Sequence, residues 1–301
     1  MTKVFLKKRF RGKDLSPYIT LVAAIIIIII VAAYWHYTGS EDKEEKVYGV
    51  ELVAVTDTHT IYRGRMTQFA LIIKNNGNTR DTIYLEVKTP EGIGYFFEPT
   101  AIGDKGEELF DGGSATAKLD RGSSCVVALM VSSIENISAE RMSVFVRATS
   151  AGNNIKTDSI WLHLDIKDAP EEQREVKAKD LVQVNYTGMR VSGKIFDTNV
   201  EEVAKNKELA KEDKVKEKSS FSPLKVYVGP KDPDDKDEYI QVIDGFWQGM
   251  LDERMMPGET RVVRIDPARG YGEEESSSNE LAGKWLVFEI TLLSIDGSIE
   301  E

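Results

Sequence analysis

Apolar and polar residues follow three different patterns along this sequence of 301 residues. From Tyr18 to Trp35 every side chain except Thr20 is apolar or aromatic, and the run Ile25–Ile30 is unbroken isoleucine. A helix of this length rises about 27 Å, close to the hydrocarbon thickness of a bilayer. The pattern therefore predicts a transmembrane helix within residues 15–40. A cleaved signal peptide and a buried core helix are the two alternatives.

Charge differs between the two sides of this apolar stretch. Residues 1–14 carry six basic side chains and one acidic one, so this stub has a charge of +5. Since the whole chain is −11, the remaining residues carry −16. Lys and Arg are enriched on the cytoplasmic side of membrane helices. We therefore expect a single-pass protein of the cell membrane, with its N-terminus cytoplasmic and its C-terminal domains extracytoplasmic.

Residues 48–168 alternate between short apolar segments and turn residues. The sequence Asn75-Asn76-Gly77-Asn78 is a strong turn between two of these segments. The candidate strands are Gly49–Thr56, Gln68–Lys74, Thr82–Lys88, Ala115–Leu119, Cys125–Val131, Met142–Ala148 and Ile160–Ile166. Seven strands at this spacing predict an all-β, antiparallel Ig-like sandwich. LIIKNNGNTRDTIYLEV and ATSAGNNIKTDSIWLHLDI resemble prokaryotic Ig-like domains of surface proteins, which implies a spacer or a protein-contact module, with carbohydrate contact as the alternative.

A polar, charged linker at 169–175 separates this region from a second domain at 176–296. The pattern of the second domain predicts a strand at Leu181–Tyr186, a Thr-Gly turn, and a second strand at Lys194–Phe196. The charged segment Val200–Lys218 is interpreted as a solvated helix packed on one side. A strand at Pro223–Gly229, a short helix that begins near Asp244, the strand ETRVVRID and a closing strand at Trp285–Ile295 complete the pattern. These elements predict an α+β domain, an antiparallel sheet around a short helix.

Composition narrows the possible functions. With 41% hydrophobic and 30% charged residues the chain is not disordered, and its acidic body excludes the basic footprint of a nucleic-acid binder. Cys125 is the single cysteine, so neither an intramolecular disulfide nor a zinc cluster can form. The three histidines lack metal-ligand spacing, and the acidic loop between Asp232 and Glu238 lacks that of a calcium loop. We expect no metal and no cofactor.

Five ordered motifs in the second domain resemble an FKBP-type peptidyl-prolyl cis-trans isomerase: VQVNYTGMRVSGKIFDTN, PLKVYVG, YIQVIDGFWQGM, GETRVVRIDPARGYG and LVFEITLLSI. The charged insertion after FDTN and the ending NELAGKWLVFEI are similar to the SlyD-like prokaryotic branch. That branch carries an inserted flap domain, of which only EEESSSNELAGK (273–284) stands here.

The resemblance also implies a site. Asp197 corresponds to the pocket-edge carboxylate, Tyr271 to the hydroxyl that contacts a substrate carbonyl, and Ile243 to the residue whose backbone N–H binds substrate. The implied substrate-binding pocket contains Tyr186, Phe196, Leu224, Val242, Phe246 and Phe288. Phe246 stands where most members have Trp, and a register one residue later would place Trp247 there.

Two functions are compatible with these features. The first is a membrane-anchored prolyl isomerase that assists the folding of exported or surface proteins, with proline-containing unfolded polypeptides as its partners. The second is a non-catalytic surface binding, chaperone or adhesion protein with an FKBP-like peptide-binding module. The sequence does not specify the oligomeric state.

Overall fold

The computed structural model describes residues 25–31, 45–98, 119–171, 173–230, 239–276 and 278–298. Residues 25–31 are helical, and the rest of the expected stub and anchor (1–14 and 15–40) lies outside the described residues. No helix among the described residues is both long enough and apolar enough to cross a membrane. Residues 46–301 form one compact unit, which holds all the strands described below.

The N-terminal half of this unit contains two four-stranded sheets. Their strands are β1 (Val50–Ala54), β2 (Thr58–Tyr62), β3 (Met66–Asn75), β4 (Ile83–Lys88), β5 (Ile93–Phe97), β6 (Ser124–Ser133), β7 (Arg141–Ser150) and β8 (Thr157–Lys167). One sheet has the order β1-β3-β6-β5 and the other β2-β8-β7-β4. Only the β2–β8 pair among these is parallel. One core, which includes Phe69, Leu129 and Leu162, joins both sheets because alternate side chains of each point inward.

Most of the expected strands in this half occur close to their predicted positions. The strands β2 and β5 were not predicted, because THTIY and IGYFF lack a clear alternation of apolar and polar residues. Of the predicted strand Ala115–Leu119, only Leu119 lies within the described residues, where it bridges Asp81.

The C-terminal half forms a five-stranded antiparallel sheet with one helix against it. Its elements are β9 (Asp180–Arg190), β10 (Ile195–Thr198), α1 (Glu201–Lys205), α2 (Asp213–Lys216), β11 (Leu224–Tyr227), α3 (Asp244–Asp252), β12 (Thr260–Ile265) and β13 (Leu286–Ser298). The order is β10-β9-β13-β12, and β11 also pairs with β9. Helix α3 packs closely on β12 because Gly249 has no side chain, and a Cβ there would lie 2.3 Å from Val263 Cγ1.

Two local predictions in this half are wrong. Strand β9 continues through Thr187 and Gly188 to Arg190, so Thr-Gly is not a turn, because Gly188 pairs with both neighbouring strands. The charged segment Val200–Lys218 is not one helix but two short ones, α1 and α2. Buried Val203, Leu209 and Val215 hold this segment against the rest of the fold, which a single regular helix would not allow at that spacing.

The C-terminal sheet is buried on both faces. Along β13, Phe288 and Ile290 belong to the core that includes α3, whereas Val287 belongs to a second cluster that includes Ala70 and Ala128 of the β1-β3-β6-β5 sheet. Successive side chains of a strand point to opposite faces. The sheet-to-sheet contact therefore covers the face that would otherwise meet water.

Polar groups cross this contact as well. Glu289 of β13 is buried, accepts a hydrogen bond from the Ala70 N–H at 2.9 Å, and accepts another from Thr56 Oγ1 at 2.5 Å. His59 Nε2 lies 2.5 Å from the same Thr56 oxygen, and the His59 ring stacks on Phe69 at 4.2 Å. Each oxygen of this buried carboxyl group thus has a donor, one from β3 and one from the segment between β1 and β2.

An ion network lies further along the same contact. Arg65 donates to buried Glu259 at 2.7 Å, and Arg261 donates to Glu259 at 3.1 Å and to the Met66 carbonyl at 2.8 Å. Gln68 Oε1 accepts the Val262 N–H at 2.6 Å. A buried charge is tolerated only with partners of this kind, so the network fixes how the two sheets meet.

The buried Glu289 predicts a pH effect on stability. Burial raises the pKa of Glu289 to about 7 from 4.5. Between these values the native carboxyl group holds a proton that the unfolded chain releases, so its contribution to stability is lost as pH rises through this window. Glu289→Gln removes the titration. As pH rises through this window, we expect the free energy of unfolding of the variant, relative to that of wild type, to increase by up to about 1.4 kcal/mol per pH unit.

Urea unfolding of the full chain across that pH window measures this difference. Glu280→Gln is the matched control, because the Glu280 side chain is 85% exposed. Burial also lowers the pKa of His59 to about 3, which acts in the opposite direction. His59 Nε2 lies 3.9 Å from Glu289 Oε1, so the comparison is repeated with His59→Gln in both chains. Parallel pH curves for wild type and Glu289→Gln would contradict the prediction.

Candidate active site

Aromatic rings from three elements meet around Phe288 of β13. The centroid of its ring lies 5.3 Å from Phe246, 5.6 Å from Phe196 and 6.4 Å from Tyr186. Phe196, Phe246 and Phe288 are each at most 4% exposed, and Tyr186 is half-buried. Phe288 meets Phe196 and Phe246 edge to face, and Tyr186 meets Phe246 in the same way, which is a favourable geometry for aromatic rings. These four residues are the aromatic cluster.

Gly188 allows the cluster to close. It lies in β9 opposite both Phe288 and Asp197. A Cβ on this residue would lie 2.7 Å from Phe196 Cζ and 2.8 Å from Phe288 Cε1. The rings occupy the space that any other side chain would need, so a glycine within a strand here marks close approach rather than a turn.

A shift in strand pairing places the carboxylate beside the cluster. The register of β10 on β9 changes between Ile195 and Asp197, as in a bulge, so Phe196 and Asp197 both reach the cluster. Asp197 Oδ2 accepts a hydrogen bond from the Tyr186 hydroxyl at 2.5 Å. The Tyr186 N–H in turn donates to Asn199 Oδ1 at 2.7 Å.

Two hydrogen-bond donors lie beside the cluster without an acceptor among the described residues. They are the Tyr271 hydroxyl and the N–H of Ile243, the residue just before α3. Tyr271 is 40% exposed, and it lies close enough to Asp197 for that charge to affect it. Val242, Ile243 and Leu224 are half-buried against the same core. Tyr186 of the cluster and Leu224 also line a groove of about 320 Å³. This groove, together with the two donors, is called the recess below.

Electrostatics keep both tyrosine hydroxyls protonated. Burial raises the pKa of Tyr186 far above its usual range, and the hydrogen bond and charge of Asp197 raise it further. Burial, and then the charge of Asp197, also raise the pKa of Tyr271. Both hydroxyls are therefore donors at neutral pH, and neither is a base.

The structure brings the sequence-predicted site residues together. The aromatic cluster, the core around it and the adjoining polar groups contain all nine of them: Asp197, Tyr186, Phe196, Leu224, Val242, Ile243, Phe246, Tyr271 and Phe288. Phe246, not Trp247, contacts Tyr186 and Phe288. Trp247 instead donates its indole N–H to Asp244 at 3.2 Å.

Two further residues of the site were not predicted. Asn199 supports Tyr186 and is the last residue of the FDTN motif that also contains Asp197, so the motif itself was the signal for it. Lys218 donates to Asp197 Oδ1 at 3.0 Å, and it lies in the charged insertion, where nothing in the sequence distinguishes it from neighbouring lysines.

The residues of the recess do not fit a metal. Within the described ranges, no group of three or more His, Cys, Asp or Glu side chains is arranged to hold a metal ion. The acidic loop between Asp232 and Glu238 lies outside them. The chemistry available to a ligand at the recess is desolvation of an apolar group together with hydrogen bonds from the Tyr271 hydroxyl and the Ile243 N–H.

Comparison with known proteins agrees with this geometry. Residues 234–293 match the family described as FKBP-type peptidyl-prolyl cis-trans isomerase. The C-terminal region holds an FKBP-type domain. The match includes Ile243, Phe246, Tyr271 and Phe288, whereas Tyr186 and Asp197 precede it.

Individual relatives are distant. The chain is 31% identical over 97 residues to a short-type peptidyl-prolyl cis-trans isomerase of Methanocaldococcus jannaschii, which is 32% of this chain and 51% of that protein. It is 26% identical over 136 residues to FK506-binding protein 2 of Dictyostelium discoideum, which is 45% of this chain and 80% of that protein. A FixG-related protein from Vibrio parahaemolyticus aligns at a TM-score of 0.29 and 10% identity, with 40% of this chain and 96% of that one covered, too low a score to support an argument.

The close packing at Gly188 gives a testable prediction for the FKBP-type domain. Gly188→Ala inserts a methyl group between Phe196 and Phe288, and overpacking of this kind costs about 1–3 kcal/mol in free energy of unfolding. Adding Phe196→Leu removes the ring edge that the methyl group meets. We expect the double variant to lose less stability than the sum of the two single variants, as measured by urea unfolding and a double-mutant cycle. Strictly additive losses would mean that Gly188 does not control the ring contact.

Proposed function

We propose that the chain is a peptidyl-prolyl cis-trans isomerase. The observation that carries this proposal is the aromatic cluster with two donors beside it, the Tyr271 hydroxyl and the Ile243 N–H, that have no acceptor among the described residues. An X–Pro bond isomerises in tens of seconds without catalysis, because the twisted bond loses amide resonance. The reaction needs neither a nucleophile nor a metal.

Each group of the recess has a role in this reaction. The cluster binds the proline ring and excludes water from the imide bond. In the twisted state the carbonyl and the nitrogen of that bond are no longer conjugated, so the exclusion of water favours this state over the planar one. The Ile243 N–H and the Tyr271 hydroxyl donate to substrate carbonyl oxygens and hold the chain on both sides of the bond. The Asp197–Tyr186 hydrogen bond keeps the wall of the recess in place.

The family match and the relatives support this activity. The matched family and the Methanocaldococcus jannaschii relative both carry peptidyl-prolyl cis-trans isomerase in their descriptions. The match also spans the segment with Phe246 and Tyr271, so it covers the residues with the most direct part in the proposed reaction.

We also propose a setting for this activity. The 18-residue apolar stretch and its basic flank support a single-pass membrane anchor with the folded unit outside the cytoplasm. The strand orders β1-β3-β6-β5 and β2-β8-β7-β4 of the two N-terminal sheets support the proposal of an Ig-like sandwich. The clients would then be exported or surface polypeptides with proline residues.

A binding function without turnover is the second candidate. The short segment 273–284 stands where the SlyD-like branch has a whole domain, and Tyr271 is 40% exposed. A recess this open can hold a peptide without excluding water from its imide bond. Such a protein would act as a peptide-binding surface protein.

Isomerisation measured on the full-length chain separates the two functions. The assay follows cis-trans exchange of an Ala-Pro peptide by NMR and the proline-limited refolding of a protein substrate. We expect acceleration of both, in proportion to enzyme concentration. Peptide binding without acceleration would support the second function and overturn the first.

Tyr271→Phe tests the donor at the recess. It removes one neutral hydrogen bond, whose loss lowers kcat/KM by about 2- to 10-fold if the bond contributes about 0.5–1.5 kcal/mol to the transition state. The free energy of unfolding should not change, because the hydroxyl has no acceptor among the described residues. Tyr95→Phe is the matched control, since Tyr95 is also exposed but lies in β5. Equal kcat/KM for Tyr271→Phe and the control would remove Tyr271 from the site.

A further inference from the structure

Lys218 joins the charged insertion to the site. Its ammonium group donates to Asp197 Oδ1 at 3.0 Å and to the Thr198 carbonyl at 2.7 Å. The Lys218 side chain is 30% exposed, and it lines a groove of about 320 Å³ together with Tyr186 and Leu224. The residue therefore contacts the site carboxylate directly and also faces the solvent from which a substrate arrives.

The insertion is held so that Lys218 keeps this position. The Lys218 N–H bonds to the carbonyl of Val215 in α2, and Val215 is buried in the cluster between the two packed sheets. The Glu212 N–H also bonds to the Ile195 carbonyl in β10. The segment that carries Lys218 is thus attached to the same strand that carries Asp197.

Asp197 receives three donors in this arrangement. Oδ2 accepts from the Tyr186 hydroxyl, and Oδ1 accepts from Lys218 and from the Thr198 N–H at 2.9 Å. A carboxylate with all these donors does not remove a proton from substrate. Its role is to hold Tyr186, and the direction of its Oδ1 depends on Lys218.

The charge of Lys218 also affects the recess. The negative charge of Asp197 reaches Tyr271, because it helps to raise the pKa of that hydroxyl. A substrate carbonyl oxygen bound there carries partial negative charge and is repelled by an uncompensated carboxylate. The Lys218 ammonium group compensates this charge at 3.0 Å.

We propose that Lys218 is a positioning residue of the site, which orients Asp197 and neutralises its charge so that Tyr186 is held and the substrate carbonyl can approach Tyr271. The inference rests on the proposed function, because the substrate is a proline-containing peptide. It assigns a functional role to an insertion whose charge pattern is otherwise that of a solvated surface segment.

Substitutions at Lys218 on the full chain test this role. Lys218→Met removes the charge and keeps the aliphatic length, and we expect kcat/KM to fall by about 3- to 10-fold, the order of a lost charge-assisted hydrogen bond. Lys218→Arg keeps a cation within reach of both acceptors and should recover most of that loss. Lys216→Met is the control, because Lys216 pairs with exposed Asp213 and should leave kcat/KM unchanged.

A double-mutant cycle with Asp197→Asn identifies the route of the effect. If Lys218 acts through Asp197, Lys218→Met causes no further loss in the Asp197→Asn background. The same loss in both backgrounds, or a loss for Lys218→Met equal to that of Lys216→Met, would overturn the proposal. The Kd for the peptide is measured for every variant as well. If the wild-type chain binds peptide without turnover, the proposed function fails. The same double-mutant cycle, calculated from Kd, still tests the role of Lys218.

Discussion

The alternation of side chains along β13 is the constraint on which this structure depends. Phe288 points into the aromatic cluster, and the next residue, Glu289, points into the contact with the β1-β3-β6-β5 sheet. A register slip of one residue would place the carboxylate among the rings and the phenylalanine against Thr56 and Ala70. The site and the sheet-to-sheet contact therefore depend on the same register, because both are formed by strand β13.

Burial of both faces changes what the N-terminal sheets do. An antiparallel sheet can keep one face in water, but here that face carries Met189, Val262 and Val287 and needs an apolar cover. The β3 strand supplies the cover and also the backbone donor for Glu289 at Ala70. Since α2 also packs into this contact through Val215, the N-terminal sheets help to position the segment that reaches Asp197. They are therefore structural support for the site.

Sequence patterns predicted the parts that depend on local order. The alternation of Ile83–Lys88 identifies a strand with one exposed face, and the ordered FKBP-type motifs place Asp197, Phe246 and Tyr271. The unbroken apolar run of β6 also indicates burial on both faces, but it does not say which element covers the second face. The Arg65–Glu259 pair joins residues that are 194 positions apart, and the Lys218–Asp197 pair joins residues that are 21 apart. In both cases one charge among many gives no signal for its partner.

The proposed chemistry is compatible with Phe246 at the position where most FKBP-type members have Trp. A twisted imide needs an apolar surface and a few donors, and no proton has to move at a fixed atom. Phe246 keeps the apolar ring in contact with Tyr186 and Phe288, so what it lacks relative to Trp is an indole N–H and some area. Donors are more demanding, because each must be aimed from a different element. Ile243 stands just before α3 and Tyr271 follows β12, while the shifted register of β10 places the acceptor Asp197 beside Tyr186. The precision of the site therefore lies in its backbone and its charge pairs, more than in the identity of any single ring.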